Sequence, residues 1–411
     1  MDIPGYFYTV LEPGSSVGNH REVGRLTAMI YQSEGDNANT TRIPVYQPKL
    51  PCAERLLPYL REIDKSRWYS NHGMLAQALQ RRIAAMAGAN VIVTASGWAA
   101  LKAAIIAAAG AATSRRALAL MPSYTFAATA LAAESCGYKP YFLDVEEENW
   151  MISPQVLLDH PALADAGIVV PVAAYGRPVA QEPWRRFQEA TKIPVVIDAA
   201  AAFEAIVDDP SGLTGKVPVV VSFQATKTLS TGEGGAVIWN DDDGLMAVAR
   251  AINFGFYGTR ESKSPSFNGK MSEFHAAVGN ASLDAWSETR AAWQSTCAAY
   301  FNCAEKAGVA AQLILHPAVA SCYALFRASS ESEAIAVGQV LDKSGIEHRY
   351  WYGRGLHTHQ HFSAAPHDPL PHTTRIAPCL VALPTAIDLS HDAMERIVAA
   401  LSEGRRRRKT G

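Results

Sequence analysis

The chain lacks the spacings that would announce a metal or disulfide protein. Its six cysteines (Cys52, Cys136, Cys297, Cys303, Cys322 and Cys379) are scattered over 411 residues, with no CxxC pair and no metal-ligand spacing with histidine. Buried or inert thiols in a reducing compartment are the expectation, and no metal site is expected. The opening, MDIPGYFYTV, has neither a basic n-region nor an apolar h-region and does not read as a signal peptide. Long hydrophobic runs are also missing: the most apolar stretch, ALKAAIIAAAGAA, is too short and too alanine-rich to span a bilayer. The formal net charge is only −2, which gives no support for a nucleic-acid surface. No internal repeat is found. These absences point to a soluble cytoplasmic protein whose partners are neither nucleic acid nor membrane.

What is present is apolar: 48% hydrophobic against 18% charged residues, enough for a large core. The length suggests more than one small domain. Residues 1–45 are polar and turn-rich (EPGSSVGNH, SEGDNANTTR) and read as an irregular N-terminal extension. Apolar runs then alternate with helical segments. NVIVTA, ALALMP, KPYFLDV, GIVVPVAAYG, IPVVIDAA and VPVVVSFQ read as strands. SGWAALKAAIIAAAG, TFAATALAAESCG, a segment near 153–164 and EPWRRFQEATK read as helices. This alternation predicts a three-layer αβα arrangement around a mostly parallel sheet, with GGAVIWN as one antiparallel strand. The pattern changes near residue 285, so we assign 46–285 to a large α/β domain and 286–404 to a smaller C-terminal α+β domain. Residues 405–411, from the run EGRRRRKTG, read as a solvated basic tail.

Three positions fall at strand ends, where ligands of such sheets bind. Ser96 and Gly97, in TASGWAAL, lie between a strand and a helix N-terminus, a place suited to a phosphate and equally to a plain helix cap. Asp198 ends the strand of VVIDAAAAFEA. It is a candidate partner for a pyridinium nitrogen, or else an N-cap. Lys227 sits in SFQATKTLSTGEGG, one strand later. A partly desolvated, electropositive site would lower its pKa and free the amine to attack an aldehyde, whereas a lone lysine after a strand is ordinarily solvated. The order of phosphate turn, aspartate and lysine is the one expected of a fold-type-I pyridoxal 5'-phosphate (PLP) enzyme.

On these motifs the sequence resembles the nucleotide-sugar aminotransferases of the DegT/DnrJ/StrS group, over roughly residues 45–400. MPSYTFAATALAAESCGYKPYFLDVEEENWMISP is similar to the group's Pro-Ser-x-Thr-Phe block and its Gly-x-x-Pro-x-x-x-Asp sequel. SFQATKTLSTGEGG resembles its Ser-Phe-His-x-x-Lys block, and GKMSEFHAAVGNASLD its Arg-Met-Ser-Glu segment. WYSNHGMLAQALQRRIAAMAG and YWYGRGLHTHQHF resemble segments near the start and the end of the group's pattern.

The resemblance implies a fold-type-I transferase and roles residue by residue. Lys227 would form the Schiff base and shuttle the proton, and Asp198 would bind the pyridine nitrogen. Phe126 would stack on the ring, and Gly97, Trp98 and Ser222 would line the phosphate. Lys270 would reach the phosphate of a partner subunit in a homodimer with shared sites; its plain alternative is a solvated lysine capping the helix that begins near Met271. The implied activity is an aminotransferase of amino sugar biosynthesis, moving an amino group from L-glutamate or L-glutamine to a keto sugar on a nucleotide. The chain departs from the group's pattern at Trp98 (usually Thr), Ala201 (usually Gln or His) and Gln224 (often His). A non-catalytic homologue that binds PLP or a sugar nucleotide as a sensor or regulator is the alternative. Trp98 and Ala201 speak for it, and the intact Asp198/Lys227 pair speaks for an enzyme. Lys227 also argues against the group's dehydratase branch, which carries His at that position.

Overall fold

The structure is a computed structural model that describes residues 42–316 and 318–408. Helices α1 (Ala53–Ser66) and α2 (Met74–Ala87) lead into β1 (Val91–Thr94), α3 (Gly97–Ala109), β2 (Leu118–Pro122), α4 (Ala127–Glu134) and β3 (Lys139–Leu143). Then come β4 (Ala166–Val169), α5 (Gln181–Thr191), β5 (Ile197–Asp198), β6 (Val219–Ser222), β7 (Gly235–Ile238), α6 (Asp242–Ala251) and α7 (Glu273–Asp284). The remainder is α8 (Trp286–Lys306), β8 (Leu313–Ile314), β9 (Ala324–Arg327), α9 (Glu331–Lys343), β10 (Leu380–Leu383) and α10 (His391–Arg408).

The central sheet forms from two ladders, β3-β2-β4 and β1-β7-β6-β5. Parallel bridges Val169–Val195 and Val172–Asp198 join them. Every pairing is parallel except those of β7, which runs antiparallel to both β6 and β1. All the other strands therefore point the same way and end on one edge. Successive side chains leave a strand on opposite faces. Val219 and Val221 join a core with Leu79 and Ile83 of α2, whereas Val220 joins a second core with Leu101 and Ile105 of α3. Both faces are thus covered, which is why the strands read as unbroken apolar runs. The three layers and the single antiparallel strand agree with the sequence reading.

Strands β8, β9 and β10 form a separate antiparallel sheet. Val337 and Leu341 of α9 and Ile397 and Leu401 of α10 pack with Phe326 and Val381 in its own core. Ile43 joins that core and bridges to Ile346, while Tyr46 bridges to Thr385. Most of the proposed N-terminal extension lies outside the described residues.

Two local expectations give way. The helix expected near 153–164 breaks into Pro154–Leu157 and a 3-10 turn at Pro161–Asp165. Pro161 has no N–H, and it pushes His160 into extended backbone (φ −76°, ψ 128°). The expected solvated tail begins as helix, since α10 runs through Arg408. Arg405 explains this: its guanidinium donates to the Gly308 carbonyl at 2.8 Å and lies 3.4 Å from Glu333. Among the described residues no helix is long and apolar enough to cross a membrane.

Candidate active site

The common edge of the strands collects the candidate residues. Asp198 ends β5 and is 5% exposed. One carboxylate oxygen accepts from the Thr129 hydroxyl at 2.7 Å, and the other accepts from the Ala200 N–H at 3.1 Å. The hydrogen of Thr129 is thereby committed, so Thr125, 2.9 Å away, donates to it in turn. Burial pushes the Asp198 carboxyl above its usual range, against the pull of Thr129, Ala200 and Lys227. The N-cap alternative fails, because the next helical turn, Phe203–Asp208, has Ala202 at its cap.

Lys227 follows β6 in a turn closed by its N–H to the Gln224 carbonyl (2.8 Å). The side chain is half-buried, and Nζ donates to the Tyr323 phenol at 3.1 Å. The expected lowered pKa is not found. Burial does pull it down, but Tyr323, Cys322 and Asp198 together hold it above the ordinary lysine value. The surroundings of this amine are acidic rather than electropositive, which reverses the sign.

Gly97 opens α3 directly against Ser222: a Cβ on Gly97 would lie 2.8 Å from the Ser222 Cβ. Bare backbone is therefore required here, and the first N–H groups of a helix have no intrahelical acceptor. Ser96 caps the helix by accepting from Ala99 N at 3.1 Å. The Ser222 hydroxyl accepts from Gln224 N at 3.3 Å. The Trp98 indole packs edge-on to Phe267, with the Lys102 ammonium 5.4 Å from its ring centroid. Phe126 occupies the N-cap position of α4, one residue after Thr125, and is 59% exposed. Lys270 donates to Asn268 at 2.8 Å and lies 4.7 Å from the Phe254 ring centroid. It does not cap the following helix; Ser272 does, accepting from His275 N at 3.2 Å. Its backbone pairs with Thr94 at the end of β1.

The geometry thus brings Asp198 near enough to Lys227 for their charges to interact, sets Gly97 against Ser222, and leaves Phe126 exposed. It sets the Lys270 ammonium against Asn268 and Phe254. Sequence reasoning missed Thr129 and Tyr323. Thr129 was findable as a hydroxyl one helical turn after Thr125 in an alanine-rich helix. Tyr323 lies 96 residues from Lys227 and carries no local signal. A cavity of about 490 Å³ opens beside Lys227, walled by Tyr46, Lys49, Arg55, Thr228 and Trp286 among others.

The sequence matches the DegT/DnrJ/EryC1/StrS aminotransferase family over residues 52–402. The chain belongs to that family. It is similar to protein Rv3402c of Mycobacterium tuberculosis (strain ATCC 25618 / H37Rv), at 30% identity over 96% of this chain and 97% of that protein. That match leaves too few residues over to exclude the N-terminal 45, so the polar extension is largely shared with this relative. The chain is also similar to the dTDP-4-amino-4,6-dideoxy-D-glucose transaminase of Shigella dysenteriae, at 29% identity over 58% of this chain and 64% of that one. Among solved structures it resembles DesI, crystallised in the presence of its TDP-sugar product. The TM-score is 0.80 at 28% identity, covering 92% of this chain and 96% of DesI. The expected fold-type-I architecture is therefore the one this family carries.

Asn in place of Asp198 keeps an acceptor for Thr129 but removes the charge. The Asp198→Asn protein is expected to fold normally by circular dichroism while amine transfer falls roughly a hundredfold or more, the loss of one charge-assisted bond of a few kcal/mol. A near-normal rate would make Asp198 a purely structural residue.

Proposed function

We propose that this protein is a PLP-dependent aminotransferase that moves an amino group from an amino acid, L-glutamate or L-glutamine, to a keto sugar carried on a nucleotide. The observation that carries the reading is the buried Asp198 carboxylate, held by the neutral donors Thr129 and Ala200 and within electrostatic reach of Lys227, in a chain of this family. The residues present fit the cofactor. A desolvated carboxylate suits a protonated ring nitrogen. The helix start at Gly97, where a side chain would collide with Ser222, suits close approach of a phosphate to backbone N–H groups.

PLP, when bound, supplies an electron-withdrawing ring that acidifies the bond to be broken in the amino substrate. The chain's residues do the rest. Asp198 binds the ring nitrogen and keeps its proton in place. Gly97, Trp98 and Ser222 hold the phosphate, the first two through backbone. Phe126 offers its exposed ring as a stacking face. Lys227 would hold the cofactor at its aldehyde carbon through Nζ, with water leaving, and the lysine amine would take and return a proton at the substrate carbon. Thr125 and Thr129 fix the orientation of Asp198. A nucleotide-linked acceptor is supported by the names of two relatives, a dTDP-sugar transaminase and a protein crystallised with a TDP-sugar product.

We also propose a homodimer. Trp68, Tyr69, Met74 and Phe274, together with Phe254 and Tyr257 near Lys270, are large apolar side chains at least 48% exposed. An apolar surface of this kind is a candidate for a second copy of the chain. Lys270, partly desolvated and with its pKa lowered by burial, would complete the partner's phosphate site from there.

Lys227→Ala is expected to abolish amine transfer while the protein still retains some PLP, because phosphate and ring contacts are separate from the lysine. Half-reaction spectra with glutamate decide it: conversion at the wild-type rate would remove Lys227 from the chemistry. Shared sites are tested by letting Lys227→Ala and Lys270→Ala chains exchange. A mixed dimer puts both lesions in one site and leaves the other whole, so activity should return partway. If mixed dimers form, both parents are inactive and no activity returns, Lys270 serves its own chain.

A further inference from the structure

Lys227 Nζ donates a hydrogen bond to the Tyr323 phenol at 3.1 Å, and the ammonium lies 5.5 Å from that ring's centroid. Tyr323 stands just before β9, in a turn held from outside. Glu204, 2% exposed, commits both carboxylate oxygens to Ser321: one accepts from its N–H at 3.2 Å, the other from its hydroxyl at 2.9 Å. A buried carboxylate is expensive, so its placement marks a turn that has to be fixed. Glu204 belongs to the segment that leaves β5 just after Asp198. The Ala320 N–H donates to the Tyr175 carbonyl at 2.9 Å, and the Tyr323 N–H donates to the Ala320 carbonyl, also at 2.9 Å. Gly176, at φ +84°, locks the same three strands of chain together: a Cβ there would lie 2.6 Å from both the Ala201 oxygen and the Ala320 Cβ. Asp198 and Tyr323 are therefore carried by one interlocked unit, and both face Lys227.

We propose that Tyr323 is the positioning residue of Lys227, its phenol oxygen fixing the amine beside Asp198 and holding the amine's proton. This rests on the reading of Lys227 as the cofactor's lysine. The groups facing the amine are Tyr323 and Cys322 from the turn before β9 and Asp198 from β5. Burial is the strongest single influence and lowers the lysine pKa; Tyr323 is the first of the groups that reverse it. Without the phenol oxygen the balance tips toward burial, and the free amine becomes available at lower pH.

The variant is Tyr323→Phe, which keeps the ring packed against Tyr46 and Tyr175. In cofactor-free protein, competitive acetylation with acetic anhydride, read at Lys227 by mass spectrometry, gives the pH midpoint of the amine. The midpoint is expected to move to lower pH, with labelling severalfold faster at neutral pH. Ser321→Ala, which loosens the turn but leaves the phenol, is expected to move it the same way by less, and stands in should Tyr323→Phe not fold. A midpoint that stays or rises overturns the proposal. Borohydride reduction of PLP-loaded wild-type protein tests the underlying reading separately. Cofactor fixed at Lys227 with an unmoved midpoint refutes Tyr323 alone. Cofactor fixed elsewhere refutes the cofactor role, and the labelling midpoint still decides whether Tyr323 holds the amine.

Discussion

A carboxylate taken almost wholly out of water is the constraint around which this site is arranged. Asp198 is 5% exposed, and among the described residues its charge is answered by two neutral donors and a lysine. Desolvation alone would favour the neutral acid. The chain opposes it with Thr129, itself oriented by Thr125, and with the Ala200 N–H. These supports come from α4 and from the first turn beyond β5. Such an arrangement is strained toward a cationic partner: a positive ring nitrogen would relieve it in a way that water cannot.

The parallel sheet makes the convergence possible. Because β1, β2, β5 and β6 all end on one edge, Gly97, Thr125, Asp198 and Lys227 fall along that edge despite wide separation in sequence. β7 runs the other way, and its glycine start packs against the helix that opens at Gly97: a Cβ on Gly235 would lie 2.7 Å from the Gly97 nitrogen. The C-terminal part of the chain then closes the site from outside by way of Tyr323.

Much of this was legible in the sequence because it was local. Apolar runs of parallel strands, alanine-rich helices and the order of Gly97, Asp198 and Lys227 can each be read within a few residues. What escaped depends on distance or on sign. Thr129 has no meaning until Asp198 is beside it, and Tyr323 reaches Lys227 only through the packing of the turn that Glu204 fixes. The lysine pKa was expected to fall in a partly desolvated, electropositive site, whereas Tyr323, Cys322 and Asp198, which raise it, come from other parts of the chain. Pro161 could have been used to break the helix near 153–164, since the residue before a proline avoids helical backbone. That Arg405 is tied down escaped the sequence because its acceptors, Gly308 and Glu333, are far away in it; Arg406 and Arg407 after it are exposed.

The most direct test of the account is the visible spectrum of the purified protein loaded with PLP. Covalent attachment through Lys227 predicts a visible absorption band that bleaches when L-glutamate is added and returns when a keto sugar nucleotide follows. A band that L-glutamate and L-glutamine both leave unchanged, or no band at all, would contradict it.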